Sequence, residues 1–214
     1  FEKVGLPVRF YEIVNEPDLY FGFVDRTKLS HFVELWNTAA RSMRVINDSI
    51  LLSHCAIMFT HVMDYWLQNG DDVDFLSFHK YDCWVTSGSG YHDDATILAR
   101  AELRYFDFVG DARKRWFKAR GKLLPLINSE SNLNSAYDGG ADPRIQQIVG
   151  AVWTALVLRM GILEGLSYNV YYSFSSASYG KTSPTGGAGF GMVNSINNQP
   201  WYPYYVHYML GNNL

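Results

Sequence analysis

Short apolar runs alternate along the chain with longer stretches of helical spacing. The first run, Leu6 to Val14, reads as a strand. In Thr27 to Asn47, the residues Leu29, Phe32, Val33, Trp36, Ala40 and Met43 recur at helical steps, which predicts an amphipathic helix. Ser49 to Phe59 is a compact apolar run of strand length. Thr60 to Asn69 carries Val62, Met63 and Trp66 at helical spacing and stops at Asn69-Gly70, a C-terminal signal. Val73 to Tyr81 predicts a further strand, and Asp93 to Arg120 a helix interrupted near Gly110. Leu123 to Glu130 reads as a buried strand. Pro143 to Gly165 reads as a long helix, with Asp142 as its cap and Pro143 at its first position. Ser167 to Ser175 is the last strand, and Pro200 to Leu210 a short closing helix.

Strand–helix alternation implies parallel strands with crossover helices. An open doubly wound sheet and a (β/α)8 barrel both fit. The doubly wound reading needs a glycine fingerprint between a strand and a helix. The one glycine cluster, Gly186 to Gly191, precedes no helical pattern. A barrel takes eight strands and roughly 250 residues. Five strands are legible, so residues 1–214 read as the C-terminal part of one (β/α)8 TIM barrel domain, about strands 4 to 8. Position 1 is Phe, with no signal peptide, and the strand pattern begins almost at once. The expectation is that strands 1 to 3 lie in a longer polypeptide. An open half-barrel has unpaired strand edges and is expected not to be stable alone.

Composition narrows the function. Eighteen Lys and Arg against 21 Asp and Glu leave a net charge of −3. Such balance offers no basic surface for nucleic acid and no polybasic run for a membrane. Two cysteines cannot make a disulfide scaffold or a four-thiolate zinc site. Aromatic residues make up 16%, a share that suits stacking on sugar rings as well as a large core.

In a barrel, chemistry gathers at the C-terminal strand ends. The first strand ends in Asn15-Glu16-Pro17-Asp18, the third in His79-Lys80-Tyr81, the fourth in Asn128-Ser129-Glu130 and the fifth in Tyr171-Tyr172. Glu16 and Glu130 therefore predict two carboxylates across one mouth. One protonated and one ionised carboxyl are the minimal equipment for cleaving a glycosidic bond. Pro17 disfavours the helical region for Glu16, which is expected to be extended at the strand tip.

Tyr11 to Asp18 resembles the strand-four acid/base segment of clan A glycoside hydrolases, and Leu126 to Asn132 their strand-seven nucleophile segment. Phe75 to Tyr81 resembles the strand-six segment of the family 39 type, with its Ser-x-His-x-Tyr pattern. Tyr171 to Ser175 is similar to that family's strand-eight segment, with Tyr172 where a Trp is usual, and Gly189 to Val193 to the segment after it. The resemblance implies a retaining β-glycosidase acting on a polysaccharide or its oligomers. It makes Glu16 the general acid/base and Glu130 the nucleophile, with carboxyl groups about 5–5.5 Å apart. Asn15 would bind the sugar 2-hydroxyl, Tyr81 would donate to Glu130, and Tyr172 would line the central subsite. His79 and Trp84 are further candidates for sugar contact. A carbohydrate substrate implies an extracellular or cell-surface setting. The rivals are a non-catalytic carbohydrate-binding subunit on a degenerate barrel, or an endo-glucanase or endo-mannanase of the same clan.

No cofactor or metal is expected. His54 and His61 have no carboxylate at metal spacing, and His92-Asp93-Asp94 reads as a helix start. No nucleophile elbow accompanies Ser53-His54 or Ser77. Cys55 and Cys83 are two buried thiols or one bridge; sequence leaves both open. Trp201 reads as packing, and the Asn47-Asp48-Ser49 sequon as a pattern without glycan.

Overall fold

The computed structural model describes residues 8–22, 27–136, 142–175 and 189–213; the side chains of 21, 22, 27, 104–109 and 213 are outside that description. Its elements are β1 (Phe10–Tyr11), α1 (Thr27–Ile46), β2 (Leu51–Leu52), α2 (Thr60–Asn69), β3 (Leu76–Cys83), α3 (Asp94–Arg120), β4 (Leu126–Asn134), α4 (Ile148–Leu163), β5 (Tyr168–Tyr171) and α5 (Tyr202–Asn213). Strand order follows chain order in both sheets, β1-β2 and β3-β4-β5. β1 and β2 run parallel, and a parallel bridge from Ser53 to Phe75 continues from β2 to the start of β3. Parallel strands taken in chain order, with helices between them, are an α/β arrangement without the strand-order reversal of a doubly wound sheet. Among the described residues no helix is long and apolar enough to cross a membrane.

The chain divides into two compact units, residues 1–79 with 108–129, and residues 80–107 with 130–214. In the first, α1 and α2 pack through Leu29, Phe32, Trp36 and Ala40 against Val62, Met63 and Trp66, all buried. The Trp36 and Trp66 rings meet edge to face with centroids 4.7 Å apart, a preferred aromatic geometry. α2 ends as its sequence signal predicts. Gly70 is required there by space: a Cβ would fall 2.6 Å from the Trp66 ring. In the second unit α4 packs against α5. The other face of α4 buries Trp153, whose indole N–H donates to Asp82 of β3 at 2.7 Å. Lys80 Nζ completes this network, 2.5 Å from Asp82 Oδ1 and 3.1 Å from the Arg100 carbonyl. A buried charge pair needs such extra partners to offset desolvation.

Several expectations are corrected. The Ser49 to Phe59 run is a strand only at Leu51 and Leu52. Beyond it, Cys55 and Ala56 take φ of 67° and 55°. The hydroxyls of Ser53 and Ser77 take their amide hydrogens, each at 2.9 Å, and draw that backbone off the ladder. The first strand is likewise reduced to Phe10 and Tyr11, with Leu6 and Pro7 outside the described residues. α3 runs unbroken through Gly110, a tolerable loss of about 1 kcal/mol against Ala in a helix of 27 residues. Pro143 to Gln146 form a separate 3-10 turn, capped by Asp142 as expected, and extended Gln147 divides it from α4. β3 and β4 run past the expected tips: an amide hydrogen bond from Ser135 to the Cys83 carbonyl carries their pairing onward. The glycines at 186–188 lie outside the described residues.

Candidate active site

The turn after β1 carries Asn15, Glu16, Pro17 and Asp18. Glu16 is not extended as its proline neighbour predicts. It takes φ of 44°, in the left-handed region that non-glycine residues seldom enter. Two anchors hold it there. Its carbonyl accepts the Leu19 N–H at 3.1 Å. Two residues on, fully buried Asp18 accepts the N–H groups of Met58 and Phe59 at 2.7 and 2.9 Å. Burial raises the Asp18 carboxyl above its usual range, against these hydrogen bonds, which lower it. Strain held by its surroundings is a frequent mark of functional positions.

The Glu16 carboxyl meets His79. Nδ1 of the imidazole lies 2.5 Å from Glu16 Oε1, with the histidine side chain 2% exposed and the glutamate 19%. The shared hydrogen sits on either partner: an Nδ1–H donates to a carboxylate, and a carboxyl O–H donates to a bare Nδ1. His79 is thus placed beside the acid/base candidate. Asn15 is exposed in the same turn.

In the second unit the Tyr81 hydroxyl donates to the Glu130 carboxylate. This is the pair that the family resemblance implies. Glu130 stands within β4 rather than at its end, because β4 continues to Asn134. Tyr172 is half-buried, its ring tilted against Phe190 with centroids 5.5 Å apart. Trp84 lies just past β3, 53% exposed, with the His92 ring edge-on to it and the Arg100 guanidinium 5.7 Å from its centroid.

Sequence reasoning missed two supports. Asn132, two residues after Glu130, donates from Nδ2 to the Tyr172 and Phe190 carbonyls at 2.6 and 3.0 Å. It ties β4 to the segment carrying Tyr172, the predicted subsite aromatic, and to Phe190 beside it. Its position on the Glu130 face of the strand was the available signal. Glu12 accepts hydrogen bonds from Ser53 at 3.1 Å and from Ser77. No spacing rule links these three positions.

The residues set aside in the sequence stay apart from this chemistry. Ser53 spends its hydroxyl on Glu12, and the buried His54 ring has no hydrogen-bond partner among the described residues, so no Ser–His pair forms. Cys55 and Cys83 are free buried thiols. Burial pushes the Cys55 thiol up to about 11, which leaves it a poor nucleophile at neutral pH.

No family model matches the chain. No curated protein matches it either. Solved structures do. A monomeric β-xylosidase from Caulobacter crescentus CB15 superposes with a TM-score of 0.67 at 18% identity, over 94% of this chain and 41% of that one. The chain has a family 39-like clan A glycoside hydrolase fold. A GH39 enzyme from Xanthomonas axonopodis pv. citri gives 0.65 at 15% identity, over 95% of this chain and 40% of that one. A family 51 α-L-arabinofuranosidase from Bifidobacterium longum gives 0.58 at 16%, over 78% of this chain and 38% of that one. The chain therefore spans about two fifths of the length of these three structures. At these identities the likeness is one of fold.

Proposed function

We propose that the protein is a retaining β-glycosidase on a (β/α)8 barrel, with Glu16 as acid/base and Glu130 as nucleophile. The observation that carries the reading is the Tyr81–Glu130 hydrogen bond. It gives one glutamate a fixed donor, while the other glutamate, Glu16, is engaged by His79. Alternation along β3 puts residues 79 and 81 on the same side of one strand. Completion of the barrel by further polypeptide is part of the proposal and rests on the two-fifths span.

In the first half-reaction Glu16 gives its proton to the leaving oxygen as the Glu130 carboxylate bonds to the anomeric carbon. The glycosidic C–O bond breaks and a glycosyl ester on Glu130 forms. In the second, Glu16 takes a proton from water, which attacks the same carbon and releases Glu130. Tyr81 fixes the nucleophile's orientation, and His79 holds the Glu16 carboxyl through both of its protonation states. Asn15 and Tyr172 would contact the sugar in the cleaved subsite.

The test is substitution in the complete polypeptide. Glu16→Gln is expected to lower kcat about 10²–10⁴-fold, the usual worth of a positioned acid/base. That loss should shrink for a nitrophenyl glycoside, whose leaving group departs without a proton. Glu130→Gln should lose activity on both kinds of substrate. Near-normal turnover in both variants would overturn the assignment, and oligosaccharide binding without hydrolysis by the wild type would leave a binding protein.

A further inference from the structure

The segment that carries Glu16 and the strand that carries His79 are joined twice. One joint is the Glu16–His79 contact itself. The other is Glu12, whose Oε1 accepts the Ser77 hydroxyl. The same oxygen accepts the Ser53 hydroxyl at 3.1 Å. Ser53 lies on the segment between them: its N–H donates to the Tyr11 carbonyl at 3.2 Å, and it forms a parallel bridge with Phe75. One carboxylate oxygen thus braces three neighbouring segments, and both serines that it holds are buried.

A serine hydroxyl has one proton to give and an oxygen that also accepts. With both protons given to Glu12, both oxygens are left to accept backbone amides. Ser53 Oγ takes the Cys55 N–H and Ser77 Oγ the Ala56 N–H, each at 2.9 Å. These two bonds hold Cys55 and Ala56 at φ of 67° and 55°. Cys55 Sγ in turn accepts the Val14 N–H at 3.3 Å, close before Glu16 in the chain. The second route runs along β3, where alternation puts Ser77 and His79 on one face of the strand. Both routes from Glu12 end at the Glu16 carboxyl: one steadies the backbone that leads into its left-handed turn, and the other places its histidine partner.

We infer that Glu12 is a positioning residue for the acid/base: through Ser53 and Ser77 it sets where Glu16 and His79 stand relative to each other. The inference rests on the glycosidase reading and adds to it a residue that acts through others. Proton transfer to a leaving oxygen depends on the placement of the donor to within about 1 Å. A loosened Glu16 therefore loses rate on substrates that need its proton and keeps it on those that do not.

The experiment compares wild type, Glu12→Gln and Glu12→Ala in the complete polypeptide. Gln keeps an oxygen that can accept both hydroxyls, and Ala removes it. The probes are β-1,4-linked dimers of xylose and of glucose and the nitrophenyl β-glycosides of the same sugars. The readout is the ratio of kcat/KM on the nitrophenyl glycoside to that on the dimer. Glu12→Ala should raise this ratio about 10- to 100-fold, the cost of a misplaced proton donor, and Glu12→Gln should return it to the wild-type value. A merely structural role would lower both rates together and leave the ratio unmoved, overturning the inference. Should Glu12→Ala not fold, Ser77→Ala, which cuts the route to His79, carries the same prediction and the same overturning result. If the wild type hydrolyses no probe, the glycosidase reading fails by itself. The brace is then read by proton NMR from the far-downfield hydrogen shared by His79 and Glu16, assigned by its absence in His79→Ala. Its retention in Glu12→Gln and loss in Glu12→Ala would uphold the brace; an unchanged signal in Glu12→Ala, or none in wild type, would overturn it.

Discussion

Glu16 and His54 are each set by partners or burial that lie far from them in sequence. At Glu16 a left-handed backbone angle, a buried aspartate two residues later and a histidine partner converge on one carboxyl. The tetrapeptide Asn15 to Asp18 stood out in the sequence as a candidate site. Its conformation did not, because beside the local Leu19 contact the partners of Asp18 and Glu16 are Met58, Phe59 and His79, which no local rule connects to it. His54 is fully buried, and desolvation pushes its imidazole down to about 3. The folded chain keeps it neutral where an unfolded chain protonates it near pH 6.5. The unfolded state binds the extra proton, so stability is present above pH 6.5 and drains away as pH falls toward 3. Full protonation linkage contributes about 1.4 kcal/mol per pH unit in that window. Denaturant titrations of His54→Phe between pH 3.5 and 6 should show that slope reduced relative to wild type. An unchanged slope would mean that the unfolding acid response lies elsewhere.

At the level of elements, helix periodicity was the most readable signal. The amphipathic faces of α1 and α2 appear as predicted because one stripe of each is buried and the rest is solvated. Strand ends were the least readable. β3 and β4 continue beyond Tyr81 and Glu130 through polar residues that the apolar pattern treated as loop. Two of those polar residues are held from outside the strand: Asp82 by Trp153, and Asn132 by the carbonyls it clamps. Asp82→Ala should therefore destabilise the protein by about 3–5 kcal/mol, because it leaves the Lys80 ammonium buried and uncompensated. The double replacement Lys80→Met with Asp82→Leu should recover most of that loss. Chemical denaturation of the three proteins checks this, and equal losses in the single and double variants would contradict it.

For the whole molecule, strand order is what discriminates. Alternating strands and helices were visible in the sequence, yet a barrel and a doubly wound sheet share that alternation. Strands following chain order, and superposition on family 39 and family 51 structures, favour the barrel. The ordered motif set pointed the same way at 15–18% identity, where no family model matches. The segments proposed as catalytic were recognisable because a glutamate at a fixed strand position with a donor beside it leaves a local pattern; the intervening helices need only periodicity.

On the proposed mechanism Glu130 becomes glycosylated during turnover. The direct measurement is mass spectrometry of the complete polypeptide after incubation with an activated 2-deoxy-2-fluoro β-glycoside, a substrate that slows breakdown of the ester. One added glycosyl unit is expected on the peptide containing Glu130, and none in Glu130→Gln. An adduct on a different residue, or turnover that inverts the anomeric centre with no adduct, would contradict it.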